Sequence, residues 1–217
     1  MIEPHQHWDA AFDAEVVMYQ QERKRLAGAA CAIVICVTLI LITGRLISPA
    51  FAAAGEADKV KVWVSEKWNV LTQVPKDWSW KGDFAADVPV VFRPTEEKQD
   101  IPNFIFLTYL GKQGKNDLEE TKKEYIRDLK DNLESFKLNS VENASTIENL
   151  QAFDFSYTFT VSGKPALGYD RLVFAADDIV WAISFSAGKE NFKQLKDAAM
   201  GIIDAFVFDA EEWLKEH

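Results

Sequence analysis

Cysteine and histidine are scarce in this chain, and their positions exclude most familiar chemistry. The two cysteines are Cys31 and Cys36, and the three histidines are His5, His7 and His217. Both cysteines lie inside one apolar run near the N-terminus. The rest of the chain therefore has no disulfide framework, no thiolate-held zinc and no thiol nucleophile. Past residue 57 the one histidine is His217, which excludes a histidine-centred triad or a histidine-ligated catalytic metal in that part. His5 and His7 are close enough to share a metal, but in a terminal tail they are expected to be simply exposed. There is no glycine-rich phosphate loop, and no Ser or Lys stands in a recognisable catalytic motif. Positive charge is also in deficit: 24 Lys and Arg against 34 Asp and Glu give a net charge of −10, most of it past residue 55. Such a domain repels nucleic acid and anionic headgroups, and its charge serves solubility. No enzyme activity, metal, cofactor, nucleic acid or small-molecule substrate is expected.

What the chain does have is one long hydrophobic run, residues 26–44, reading LAGAACAIVICVTLILITG. It contains no charge, no amide side chain and no proline. As a helix it would reach about 28 Å, close to the apolar thickness of a bilayer. Arg23, Lys24 and Arg25 precede it and Arg45 follows. A transmembrane helix is expected over 26–47, with the N-terminus on the cytoplasmic side and the remainder exported to the periplasm or lumen. Pro49 and the small-x-small triplet Ala50-Phe51-Ala52 resemble a signal-peptidase site. The length of the run, the intervening Arg45 and the long acidic tail ahead of it favour an uncleaved anchor. Neither cysteine is preceded by a lipoprotein-type triplet, so both are expected to be small apolar fillers.

Four parts follow: a tail over 1–25, the span over 26–47, a linker over 48–57 and one soluble domain over 58–217. In the tail, Trp8, Phe12, Val16 and Tyr19 recur at helical spacing, giving an amphipathic segment suited to a membrane surface or a partner subunit. In the domain, Val60, Trp63, Val64, Trp68 and Leu71 fit a helical stripe over 58–71, although Val60, Val62 and Val64 also alternate. The stripe is read as a helix leading into a strand at 70–74. VPKDWSWKGDF is read as a turn-rich stretch, with Trp78 in the core and Trp80 and Phe84 as candidate partner-binding aromatics. VPVVFRP and IPNFIFLTYL read as paired strands, the second covered on both faces. A helix of about 18 residues follows Asn116 and Asp117. Strands are expected at 139–147 and 151–161, the latter with strict alternation from Phe153 to Val161. SGKPALG is read as a loop, and Asp177-Asp178 as a hairpin turn between two further strands. A second long helix carries Phe192, Leu195, Ala199, Ile202, Ile203 and Phe206, and a brief strand AFVF leads to a charged tail. The acid pairs Glu96-Glu97, Glu119-Glu120, Asp177-Asp178 and Glu211-Glu212 fall at turns and helix ends, where capping and solubility account for them. The fold class is α+β, a mainly antiparallel sheet flanked by two long helices.

This order resembles the PsbP-like fold, shared by the PsbP family of photosystem II and by DcrB-like bacterial envelope proteins. Val74-Pro75-Lys76-Asp77-Trp78 is similar to the early strand-to-turn element of that fold. The stretch YDRLVFAADDIVWAISFSAGKENFKQLKDAAMGIIDAFVF is similar to its closing hairpin, long helix and terminal Phe-rich strand. The resemblance implies a non-enzymatic accessory module beside a membrane complex of photosynthetic, respiratory or secretory kind. With the anchor, it gives a single-pass accessory or assembly subunit whose contacts include Trp80, Phe84, Trp8 and Phe12. The alternatives are an envelope ligand-binding protein and a client-binding chaperone of the same fold.

Overall fold

The computed structural model describes residues 59–95, 101, 103–112, 118–175 and 178–216. The expected tail and anchor, with Trp8 and Phe12, lie outside the described residues. Among the described residues no helix is long and apolar enough to cross a membrane.

The segment 58–71, expected to be helical, is instead most of a β-hairpin: β1 (Val60–Ser65) pairs antiparallel with β2 (Val70–Pro75). Trp63 stands opposite Thr72 and faces the core, while Val62 and Val64 point the other way. Period-2 alternation therefore decides this segment, and Asn69, at φ 53°, takes the left-handed conformation that ends the turn.

The main sheet has seven strands in the order β3-β4-β5-β9-β8-β7-β6, every neighbouring pair antiparallel. The strands are β3 (Trp78–Ala85), β4 (Val88–Pro94), β5 (Phe104–Lys112), β6 (Lys137–Ser145), β7 (Gln151–Val161), β8 (Lys164–Phe174) and β9 (Ile179–Gly188). Helix α1 (Leu118–Asn132) lies between β5 and β6 in sequence, α2 (Lys189–Asp204) follows β9, and a short α3 (Ala210–Glu216) closes the chain. Four further expectations change here. The turn-rich stretch is mostly the outer strand β3, the SGKPALG loop is mostly the start of β8, AFVF is a single bridge from Val207 to Leu71 rather than a strand, and the charged tail is α3. The rest of the order holds, including the central position of β5 between β4 and β9.

Both faces of the sheet bury apolar side chains, as an α+β layering requires. On one face α2 and the β1–β2 hairpin enclose Trp78, Phe92, Ile105, Leu107, Trp181, Ile183 and Phe206. On the other, α1 sets Tyr125, Leu129 and Leu133 against Phe153, Phe155, Tyr157, Phe159 and Leu172. The alternating Phe153, Phe155, Tyr157 and Phe159 are thus the floor under α1. Thr72 Oγ1 donates to the Ile202 carbonyl at 2.8 Å, joining β2 to the last turn of α2.

The end of the chain is pinned back onto the start of the domain. Leu71 and Val207 exchange backbone hydrogen bonds of 3.1 and 2.9 Å. The Glu148 carboxylate accepts from the Phe208 and Asp209 amides at 2.6 and 2.9 Å. Asp209 then caps α3, accepting from the Glu212 amide at 3.2 Å.

Candidate functional site

Trp80 and Phe84 both lie on β3, an outer strand of the main sheet. Trp80 stands opposite Phe92, is half-buried, and packs on the core shared with α2. The Lys61 ammonium sits 4.9 Å from its ring centroid. The register shifts between Gly82 and Ala85, and within that shift Phe84 packs on a different cluster, with Val88, Val91, Phe104 and Phe106. The Lys81 ammonium lies 5.3 Å from the Phe84 ring. The two aromatics therefore belong to two packing clusters rather than one patch, each half-exposed with a lysine over it. Trp78, expected in the core, is fully buried.

Two polar nodes lie inside the sheet, one on each face, and both come from the dipeptide Asp170-Arg171 of β8. Adjacent residues of a strand point to opposite faces, so a charged pair here sends one charge into each layer. On the α1 face Asp170 is 0 % exposed and accepts from the Tyr125 hydroxyl at 2.6 Å and the Tyr157 hydroxyl at 3.1 Å. Gly168 makes that geometry possible. A Cβ there would lie 2.2 Å from two atoms of the Tyr157 ring, so only glycine lets the ring cross β8 and reach Asp170.

On the α2 face Arg171 forms a fork with Asp154, its Nε and Nη2 donating at 2.7 and 2.9 Å. Its Nη1 donates to Asp204 at 2.7 Å, and its Nη2 to the Tyr169 hydroxyl at 3.2 Å. Burial works against the Arg171 charge, but the hydrogen bond and charge of Asp154, with Tyr169 and Asp204, outweigh it and hold the guanidinium more firmly protonated than usual. Burial raises the Tyr169 phenol above its ordinary range, opposed by the nearby Arg171 charge. Asp204 is the last residue of α2, so the guanidinium also sits where the helix dipole favours a cation. Both nodes are closed by their own partners and act as struts. Neither was singled out from the sequence, although two adjacent opposite charges inside the apolar strand YDRLVF were a readable signal.

The described acid pairs sit at helix starts. Glu119 meets Lys122 at 2.6 Å, and Lys215 reaches Glu211 and Glu212 at 3.1 and 3.5 Å. Among the described residues no three metal-ligating side chains converge.

No protein-family model and no curated protein sequence matches the chain. Solved structures do. The cyanobacterial PsbP (CyanoP) of Synechocystis superposes with a TM-score of 0.52 at 14% identity, covering 76% of this chain and 99% of that one. The fold is PsbP-like. LpqN of Mycobacterium tuberculosis shares it, with a TM-score of 0.52 at 20% identity over 64% of this chain and 82% of its own. In the PsbP-like domain the expected Pro-to-Trp element is Pro75 and Trp78, the end of β2 and the start of β3. The closing hairpin is β8–β9, and the long helix that follows is α2.

Proposed function

We propose that the chain is a single-pass, membrane-anchored accessory or assembly subunit of a membrane protein complex. Its PsbP-like domain serves as a non-catalytic protein-interaction module on the exported side. One observation carries this function: the charge-free apolar run 26–44 leads, through a short linker, into a PsbP-like domain. A run of that length satisfies its backbone as a helix in lipid, and a bilayer is the environment that rewards it. Two neighbours of the same fold support the setting by analogy, one a cyanobacterial PsbP and the other involved in cell envelope biogenesis. The closed polar nodes fit a rigid scaffold for contacts, since a side chain already committed to two or three partners has no reacting role to spare. Trp80 and Phe84, half-exposed on an outer strand, are the proposed contact residues of the domain, with Trp8 and Phe12 on the other side of the membrane.

The test is purification of the tagged full-length chain from its own membranes in mild detergent, beside Trp80→Ala and Phe84→Ala variants. Stoichiometric co-elution of other membrane subunits, weakened in the variants beyond any fall in melting temperature, supports the assignment. Elution of the unaltered chain alone as a monomer overturns it.

A further inference from the structure

Large apolar side chains stand exposed at few places among the described residues: Val62 at 46 %, Val64 at 48 % and Val141 at 36 %. Two of these lie on one side of β1, the first strand after the linker, with the half-buried Val60 in line on the same side. The three form a strip about 13 Å long on the outward face of the hairpin. The strip continues across β2, where Leu71, the partner of Val64, is covered by Trp213 and Leu214 of α3. The opposite side of β1 carries Trp63 into the core. Alternation alone would have allowed polar residues at 62 and 64, as it does along β7, so valines there call for an apolar neighbour.

The position of the strip in the chain says which neighbour. The apolar run ends at Gly44, and about 15 residues later the chain enters β1; a random coil of that many residues has an end-to-end distance of roughly 20 Å. If the run is anchored, the start of β1 stands within about that distance of the surface from which the run emerges. Tethering matters for the energetics. A few half-exposed valines would not hold a free protein on a bilayer, but a short linker raises the effective concentration to about millimolar, where weak contact suffices. Charge does not carry the contact: Lys61 is turned to the Trp63 side of β1, where it donates to the Trp78 carbonyl at 2.8 Å, and Lys67 is paired with Asp83 at 3.5 Å.

We infer that the Val60–Val62–Val64 face of β1 rests at the boundary between headgroups and acyl chains of the membrane that holds the anchor, setting the domain's orientation relative to the bilayer. This rests on the anchored reading above. The test uses the full chain with Cys31→Ala and Cys36→Ala, and single spin labels introduced through Val62→Cys, Val64→Cys or, as reference, Val141→Cys. Each is reconstituted in phosphatidylcholine nanodiscs with and without phosphatidylglycerol. In nanodiscs the ratio of oxygen to nickel-chelate accessibility at 62 and 64 should rise several-fold over that at 141. Retention of the chain in the disc with ratios equal at all three sites overturns the inference and leaves the anchor standing. Dipolar broadening between labels at 64 would assign the face to a second copy, also against the inference. Failure of the chain to enter discs at all overturns both readings.

Discussion

Replacing Gly168 by alanine should damage this domain far more than a single methyl group suggests. The added Cβ would sit 2.2 Å from two ring atoms of Tyr157 and 2.7 Å from its hydroxyl oxygen, distances that real carbon atoms do not adopt. Gly168 lies on β8 between β7 and β9, so neither its backbone nor the strand can step aside. The ring must move instead. It is fully buried between Phe136 and Phe159, with centroids 5.5 and 5.7 Å away, and its hydroxyl holds Asp170. Overpacking of this kind costs about 1–3 kcal/mol. Losing a hydrogen bond to a buried carboxylate adds about 1.5–3 kcal/mol. A total of about 2.5–6 kcal/mol is a large part of the margin of a typical domain, and at about 2–4 °C per kcal/mol it lowers the melting temperature by roughly 5–24 °C. The assay is thermal unfolding of the full chain in mild detergent, followed by tryptophan fluorescence. A double-mutant cycle makes it specific. With Tyr157→Ala in place the clash has no partner, so Gly168→Ala should cost almost nothing further. A Gly168→Ala protein melting within a degree or two of the parent would refute the reasoning, as would full additivity in the cycle.

Arg171→Lys keeps the charge but cannot span Asp154, Asp204 and Tyr169 together; it should destabilise by about 1–3 kcal/mol, read from denaturant midpoints, and a neutral outcome would deny the node its role as a strut. Burial raises the pKa of Glu148, partly offset by the Phe208 and Asp209 amides. The folded chain therefore binds a proton at a pH where the unfolded chain does not, so this group's contribution to stability improves as pH falls through its folded pKa and worsens as pH rises. Relative to Glu148→Gln, the parent should gain stability on acidification through that window; a pH-independent difference would contradict the assignment. Cys31→Ala with Cys36→Ala should leave membrane insertion unchanged in a carbonate wash, whereas lost insertion or assembly would show that the thiols face a partner or carry a lipid.

The elements legible in the sequence are those where one periodicity had no rival. From Phe153 to Val161 apolar and polar residues alternate without a break, and β7 is where that pattern places it. The α1 and α2 stripes, and the unbroken apolar stretch of β5, were legible for the same reason. The β1–β2 hairpin was not, because Val60 and Val64 are four apart, one helical turn and also two strand steps. Only the burial of Trp63 against the exposure of Val62 and Val64 separates the two readings. On β3, Lys81, Gly82 and Asp83 read as a turn, yet an outer strand tolerates polar residues on its open side. The start of β8 reads as a loop because Gly163, Pro165 and Gly168 are breakers in isolation; Gly168 is there to admit the Tyr157 ring, a tertiary reason invisible locally. Helix α3 had a local signal, Asp209 three residues ahead of Glu212, that the charge of the tail obscured. Of the candidate site, the positions of Trp78 and Trp80 near the Pro75 turn were legible. That Trp80 and Phe84 belong to separate clusters was not, since it depends on the register shift within β3.

The anchored PsbP-like module is tested most directly by the fate of residues 1–52 in the mature protein. Membranes containing the chain are washed at alkaline pH, and the N-terminus of the protein is determined in the pellet and in the supernatant. The account predicts a full-length chain, still carrying residues 26–44, retained in the pellet. A mature chain beginning at Ala53 and recovered in the supernatant would contradict it.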